Sequence, residues 1–334
     1  MPRADGATIL EIEELQIGIR GADGGIQPIV GAMSLSIQAG ERVALVGESG
    51  CGKTLTALAC LGITPPPLLV TGGRVLVDGH ELAQIPAAGL QQVRGGTVGL
   101  VFQEPVGALN PVFSVGFQVV ETIRSHGAES RQQARQERDD LFERVGLVPA
   151  RELSRAYPHQ LSGGQLQRAM LAIALAGHPR LLIADEPTTA LDLTTQARIL
   201  ELIRSLSEEE GLALLLITHD LAVVAALVER VAVMFAGEVV ELAPTRALLA
   251  EPLHPYTREL LAAVSRSPST AGGPSSEMES VPAAAATRAR SDGCRFAPRC
   301  PLVRTTCRQA RQPLQDAGAG HLVRCPVVVA RHDR

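Results

Sequence analysis

The 334-residue sequence contains no tryptophan, only two tyrosines and six phenylalanines. That scarcity argues against a stacking platform for single-stranded nucleic acid, which needs exposed aromatic faces. The formal net charge of −4 does not suit a chain whose main partner is a nucleic acid. No uninterrupted apolar run approaches the ~18–20 residues that span a bilayer. The best stretch, Leu212 to Phe235, is broken by His219, Asp220, Glu229 and Arg230. Met1 to Leu15 carries more acid than base and lacks an apolar h-region, so it does not read as a signal peptide. A soluble, cytoplasmic chain is expected, one still able to dock on a membrane protein.

Lysine is nearly absent as well. Of the 31 basic residues, Lys53 is the sole lysine and the other 30 are arginine. The two exchange on a solvated surface, but not where a compact point charge is needed. Lys53 stands in Gly47-Glu48-Ser49-Gly50-Cys51-Gly52-Lys53-Thr54, a match to G-x-x-x-x-G-K-[ST] between an apolar strand, Val43 to Val46, and a helical stretch to about Leu61. The glycines let successive N–H groups converge on phosphate oxygens at a helix start. Lys53 adds a charge for the β- and γ-phosphates, and the Thr54 hydroxyl ligates Mg²⁺. A plain glycine turn before an ordinary helix is the bland alternative, and the strand–loop–helix context argues against it.

Apolar residues make up 46% of the chain, enough for a sizeable core without disulfides. Strands are expected at Ile9 to Ile19, Val30 to Ile37, Arg74 to Val77 and Val98 to Phe102. Phe117 to Ala176 reads as mainly helical. Leu181 to Ala184 and Leu212 to Thr218 are continuous apolar runs, with a helix from Thr194 to Ser207 between them, the pattern of buried parallel strands covered on both faces. Val231 to Met234 and Glu238 to Glu241 suggest a final strand pair. Leu181 to Ala184 runs into Asp185-Glu186, two carboxylates at the strand's C-terminal end, where open α/β sheets bind ligands. Asp185 suits Mg²⁺, and Glu186 suits a base that takes a proton from attacking water. Alone, such a pair could simply cap the next helix.

A phosphate loop with a carboxylate strand fits several nucleotide enzymes. Leu161-Ser162-Gly163-Gly164-Gln165-Leu166-Gln167-Arg168 discriminates among them. With this run the chain resembles the ATP-binding cassette family, over roughly Leu10 to Val264. The resemblance implies an α/β P-loop (RecA-like) core with an antiparallel β subdomain and an α-helical signature subdomain. It makes Gln103 the glutamine that ligates Mg²⁺ or water, Ala190-Leu191-Asp192 the loop crossing a dimer interface, and His219 the γ-phosphate switch. It also implies that each ATP, with Mg²⁺ held through Thr54, Gln103 and Asp185, lies between one phosphate loop and the Ser162–Gln165 signature of a second cassette. An isolated chain should then bind ATP yet hydrolyse it poorly. The chain departs from the family near the end of the first strand, where an aromatic usually stacks on adenine. Gln16 to Arg20 has none, leaving Ile19 or Arg20 to cover the base.

Gln103 to Pro111 and His254-Pro255-Tyr256-Thr257, with a cysteine-bearing tail, are similar to the ATPase subunits of dipeptide and oligopeptide importers and their nickel-transporting relatives. The implied partners are integral membrane permease subunits, a second and different ATPase, and indirectly an extracytoplasmic solute-binding protein, at the cytoplasmic face of the inner membrane. No nucleic acid partner is implied. Uptake of nickel or another small solute is an alternative, as is a non-transport cassette ATPase, although the latter usually carries a coiled-coil insertion or two cassettes. A metal-sensing regulator would leave the hydrolytic set unexplained.

The expected division is a nucleotide-binding domain over 1–250 with its helical part at about 104–176. A helix at 251–266, a disordered linker at 267–290 and a small irregular cysteine-bearing tail at 291–334 follow. Cys294, Cys300, Cys307 and Cys325 cluster in that tail, while Cys51 and Cys60 read as packing thiols. Four clustered cysteines in a cytosolic chain favour a metal over disulfides. The tight knuckle usual for zinc is missing, and iron–sulfur clusters tolerate varied spacing. Some members of the resembled family carry a [4Fe–4S] cluster here; zinc and unmetallated thiols remain alternatives. Ten arginines against three aspartates from Thr287 onward would offset an anionic cluster or face anionic lipid.

Overall fold

The computed structural model describes residues 6–127, 130–189, 191–265 and 293–332. The linker expected at 267–290 lies outside them. Two sheets build the chain. In the first, Thr8–Arg20 (β1) pairs antiparallel with Ile26–Gln38 (β2) on one side and Leu68–Val77 (β4) on the other, and His80–Glu81 (β5) closes the edge. Registers such as Ile12 opposite Leu35 and Ile17 opposite Val30 put alternate apolar residues on one face, as half-buried strands require. That face, with Met33 and Ile37, packs on Val43 and Leu45 of the second sheet.

The second sheet contains Arg42–Val46 (β3), Val98–Val101 (β6), Leu181–Asp185 (β7), Ala213–Thr218 (β8), Arg230–Phe235 (β9) and Glu238–Pro244 (β10). Strands β6, β7, β8, β3 and β9 run parallel in that order, and β10 turns back antiparallel. Every residue of β7 and β8 is buried, which is why their sequences are continuous apolar runs rather than alternations. Four of these parallel strands end on one edge, at Val46, Val101, Asp185 and Thr218.

A helical layer fills the stretch between β6 and β7. Val115–Ser125, Arg131–Arg144 and Gly163–Leu175 are each preceded by a serine whose hydroxyl accepts a backbone N–H three residues on, from Phe117, Gln133 and Gln165. Such caps satisfy the open amides of a helix start. Val119, Ile123, Phe142 and Met170 form their shared core.

The tail is less irregular than expected. Gln315–Asp316 (β11) and Leu322–Val323 (β12) extend the second sheet beyond β10, with Glu241 opposite Val323. β10 would otherwise expose an unpaired edge. Glu241, with no solvent exposure, ties the join: it accepts from the Leu253 and His254 N–H groups at 2.7 and 2.8 Å and from His321 Nε2 at 2.6 Å. Burial alone would push this carboxyl up, but those bonds and Thr257 hold it below its ordinary value. Among the described residues, no helix is long and apolar enough to cross a membrane.

Candidate functional site

The edge where β3, β6, β7 and β8 end carries the site. After β3 the chain turns through Gly47, where a Cβ would lie 2.1 Å from the Met234 carbonyl oxygen, so no side chain fits. Gly50 and Gly52 take φ of 77° and 108°, a region open mainly to glycine. The helix Lys53–Ala59 starts at Gly52 with no side chain capping it, so its first amides remain for a ligand. Lys53 is buried and donates to the carbonyls of Gly47 and Glu48, at 2.9 Å each. Ser49, Gly50, Gly52, Lys53 and Thr54 border a cavity of about 160 Å³ whose opposite wall is Gln103 and Glu186. Cys51, within the loop, and Cys60, at the far end of the helix, are buried, with thiols pushed up by burial, that of Cys60 to about 12.

Glu186 is the hub. Its φ of +46° is unusual for a residue with a Cβ and stores strain of the kind found at functional sites. Its N–H donates to the Ile217 carbonyl at 2.8 Å. One carboxylate oxygen accepts from Gln103 Nε2 at 3.2 Å and Thr189 Oγ1 at 2.9 Å; the other lies 3.1 Å from His219 Nδ1. Gln103 and His219 thus meet at Glu186 although 116 residues separate them along the chain. Thr189 was not singled out from the sequence; its signal is a hydroxyl three residues after the carboxylate, in a turn closed by Thr189 N–H on the Glu186 carbonyl at 3.2 Å.

Asp185 is 4% exposed, and burial raises its carboxyl, with Thr54 and Lys53 pulling the other way. Its Oδ1 is buried without a hydrogen-bond partner, a costly state unless a cation or water completes it. With the Thr54 hydroxyl beside it and Gln103 across the cavity, the oxygen donors suit Mg²⁺.

Ser162, Gly163, Gly164 and Gln165 stand apart from this cavity. Ser162 Oγ accepts the Gln165 N–H at 3.4 Å, and Gln165 Oε1 accepts the Ser162 N–H at 2.9 Å, a reciprocal capping box. Asp192 caps Leu193–Glu210 through the Thr194 and Thr195 N–H groups, both at 3.0 Å. Thr195 in turn packs on Gly164, so Asp192 and the signature share one surface. Ala190 lies outside the described residues. Ile19 is half-buried and Arg20 exposed at the end of β1.

The comparisons with known proteins decide the family. The model of the ABC transporter family matches residues 30–189, and that of the oligopeptide/dipeptide transporter C-terminal region matches 240–307. A probable peptide ABC transporter ATP-binding protein of Sinorhizobium fredii is 40% identical over 327 residues, covering 97% of this chain and 96% of the relative. The chain belongs to the ATP-binding cassette family. A relative of Brucella melitensis described as a putative peptide import ATP-binding protein is also 40% identical, over 96% of this cassette and 95% of its own length. Among solved structures, an ATP-binding cassette in a dimeric post-hydrolysis state bound to ADP and Pi is 29% identical with a TM-score of 0.63, covering 71% of this cassette and 99% of that chain. CbiO1 of Clostridium perfringens, part of an ABC transporter complex, is 28% identical with a TM-score of 0.62, over 73% and 92%. As a member of this family the chain is an ATPase that uses ATP with Mg²⁺, and the transporter members of the family work with membrane permeases.

Within the cassette, the tail arginines do something the composition did not suggest. Arg295 and Arg311 pair with Glu238, at 3.4 and 2.9 Å; Arg311 donates to the Gly31 and Ala32 carbonyls, and Arg324 to the Val239 carbonyl at 2.9 Å. Their hydrogen bonds and ion pairs go to Glu238 and to carbonyls of β2 and β10, although Arg324 also acts electrostatically on Cys294. Among the described residues, no three Cys, His, Asp or Glu side chains are arranged to hold a metal ion. The four tail cysteines are nonetheless neighbours: Cys307 and Cys325 share a small apolar cluster against which Cys294 packs, and Cys300, Cys307 and Cys325 all act electrostatically on Cys294. Burial pushes Cys294 up to about 11 and raises Cys300 and Cys325.

Proposed function

We propose that this cassette hydrolyses ATP at a head-to-tail interface with a second, different cassette, and that the cycle drives uptake of di- or oligopeptides through integral permease subunits at the cytoplasmic face of the inner membrane. The observation that carries the reading is the meeting of Gln103, Thr189 and His219 on Glu186, beside Asp185 and Lys53, with the signature outside that cavity. Lys53, Thr54 and the loop amides would hold the triphosphate; Thr54, Gln103 and Asp185 would hold Mg²⁺, which would neutralise charge on the phosphates. Glu186 accepts a proton from the attacking water, and its strained backbone and three neighbours fix its aim. His219 and Gln103 report the γ-phosphate to the rest of the chain.

Ser162–Gln165 and Asp192 serve the partner's nucleotide. Both form one exposed surface, and such a surface explains why one chain carries two anion-facing helix starts. Phe113 and Phe117, stacked at 4.8 Å and both more than 40% exposed, with Val112 on the helical layer, suit an apolar segment of the permease. Identity with proteins described as peptide importers over nearly the whole chain supports peptides as cargo, which a solute-binding protein would deliver. The division that goes with this reading is 1–250 for nucleotide binding with its helical part at about 104–176, then the helix at 251–266 and the tail at 291–334, with the expected linker at 267–290 outside the described residues.

For the tail, the support is the proximity of four thiols, to which an iron–sulfur cluster's tolerance of varied spacing is suited. Cys294, Cys300, Cys307 and Cys325 would hold a [4Fe–4S] cluster, which would supply a covalent cross-link of the tail. Anaerobic purification followed by absorption spectroscopy tests this, since a colourless, iron-free chain overturns it. A pull-down from native membranes tests the main reading. Co-isolation of permease and a second cassette is expected; a soluble complex without permease would overturn it.

A further inference from the structure

Glu48 is the only acidic residue within the phosphate loop. A carboxylate at that place repels the polyanion the loop accommodates. Its neutralising partner comes from the tail. Arg299 places Nη1 and Nη2 each 3.1 Å from Glu48 Oε1, and pairs also with Glu259 of Pro255–Ser265. The guanidinium carbon lies 5.6 Å from the ring centres of both Phe235 and Phe296, contacts that fix its plane. Glu48 is gripped a second time through its backbone, whose N–H donates to Tyr256 Oη at 3.0 Å. Tyr256 is itself buried, 4.6 Å from Phe235 and 5.7 Å from Phe296 between ring centres. These contacts join residues 208 and 251 positions apart, so they exist only when the C-terminal region is docked.

We propose that Arg299 is a positioning residue for ATP binding: it cancels the charge of Glu48 and holds that carboxylate against the tail, so the affinity of the loop for ATP depends on the docked C-terminal region. The proposal rests on the assignment of Gly47–Thr54 as the nucleotide loop. Arg299 touches no substrate; it acts through Glu48. Because the repulsion it removes is felt equally by bound ATP and by the transition state, the effect belongs in KM rather than kcat.

The test is steady-state ATP hydrolysis by the assembled transporter, with equilibrium binding of a fluorescent ATP analogue to the full chain. Arg299→Ala should raise KM for ATP about ten-fold with kcat within about two-fold, and the defect should shrink in high salt. Arg299→Lys, which keeps the charge, should stay within about three-fold of the unaltered protein. Removing the repelling group as well, in Glu48→Gln with Arg299→Ala, should bring KM back to within about two-fold. A double variant as weak as Arg299→Ala alone, a loss confined to kcat, or an unchanged KM would overturn the proposal. Lys53→Ala separates the two claims. If it binds ATP normally, the loop assignment fails; if it weakens binding about 100-fold while Arg299→Ala changes nothing, only the role of Arg299 fails.

Discussion

The two anion-facing helix starts of this chain are finished in opposite ways. Lys53–Ala59 begins at a left-handed glycine with no side chain over its amides. Gly163–Leu175 begins at Ser162 inside a reciprocal box with Gln165. The first borders the cavity that holds Gln103 and Glu186; the second lies on an exposed surface beside Asp192. An open start can bind phosphate unaided. A self-capped start gives up its cap only for a stronger acceptor, and the 3.4 Å contact from Gln165 N–H to Ser162 Oγ is long enough to yield cheaply. The contrast matches a division of labour between a chain's own nucleotide and that of its partner.

The strongest challenge to that division is Glu186→Gln. It should lower the hydrolysis rate by about 10²–10⁴-fold while ATP binding persists and the dimer stays closed, as gel filtration with ATP would show; rapid turnover would refute the assignment of the base. Acid should act next, and unequally on the two starts. His254 is buried neutral, its Nδ1 accepting the Tyr256 N–H at 3.1 Å, and burial lowers it from 6.5 to about 4. Stability linked to His254 is therefore complete above pH 6.5 and declines as pH falls toward 4, where the unfolded chain binds the extra proton, by about 3 kcal/mol. Protonation of Glu241, also held low, adds in the same direction. Hydrogen exchange between pH 7 and 4 should show Tyr256 and the phosphate loop loosening before the signature helix, whose amides share none of these groups.

Lys53→Ala should weaken ATP binding about 100-fold, the loss of a charge-assisted contact to phosphate, measurable by titration calorimetry on the isolated chain. Ser162→Ala should leave that binding unchanged. It should lower stability by about 1 kcal/mol through the lost cap and slow hydrolysis in the assembled transporter by about ten-fold, the scale of a lost neutral phosphate contact. Equal binding losses in the two variants would erase the distinction between the starts.

Much of the site was legible because its chemistry is local. The phosphate loop, the Asp185-Glu186 pair and the signature each lie within one short run, where residue type and spacing dictate which amides and oxygens can point at a ligand. Gln103 and His219 were legible only through the resemblance, since a lone glutamine or histidine at a strand end carries no signal by itself. Thr189 was missed, and so was the grip of Tyr256 and Arg299 on Glu48. The tail arginines read as free positive charge, yet Arg295, Arg299 and Arg311 are occupied by Glu238, Glu48 and Glu259.

The sequence by itself determined the parallel core, the nucleotide loop and the carboxylate edge, because continuous apolar strands and glycine-rich turns allow few other structures. Only the tertiary structure decided that β12 completes the central sheet, that Glu241 locks it there, and that a residue from the tail neutralises the phosphate loop. Those contacts join positions that are far apart along the chain and have no common periodicity. Their partners are set by which sheet edge was left unpaired and which carboxylate was left uncompensated, and both are properties of the folded packing alone.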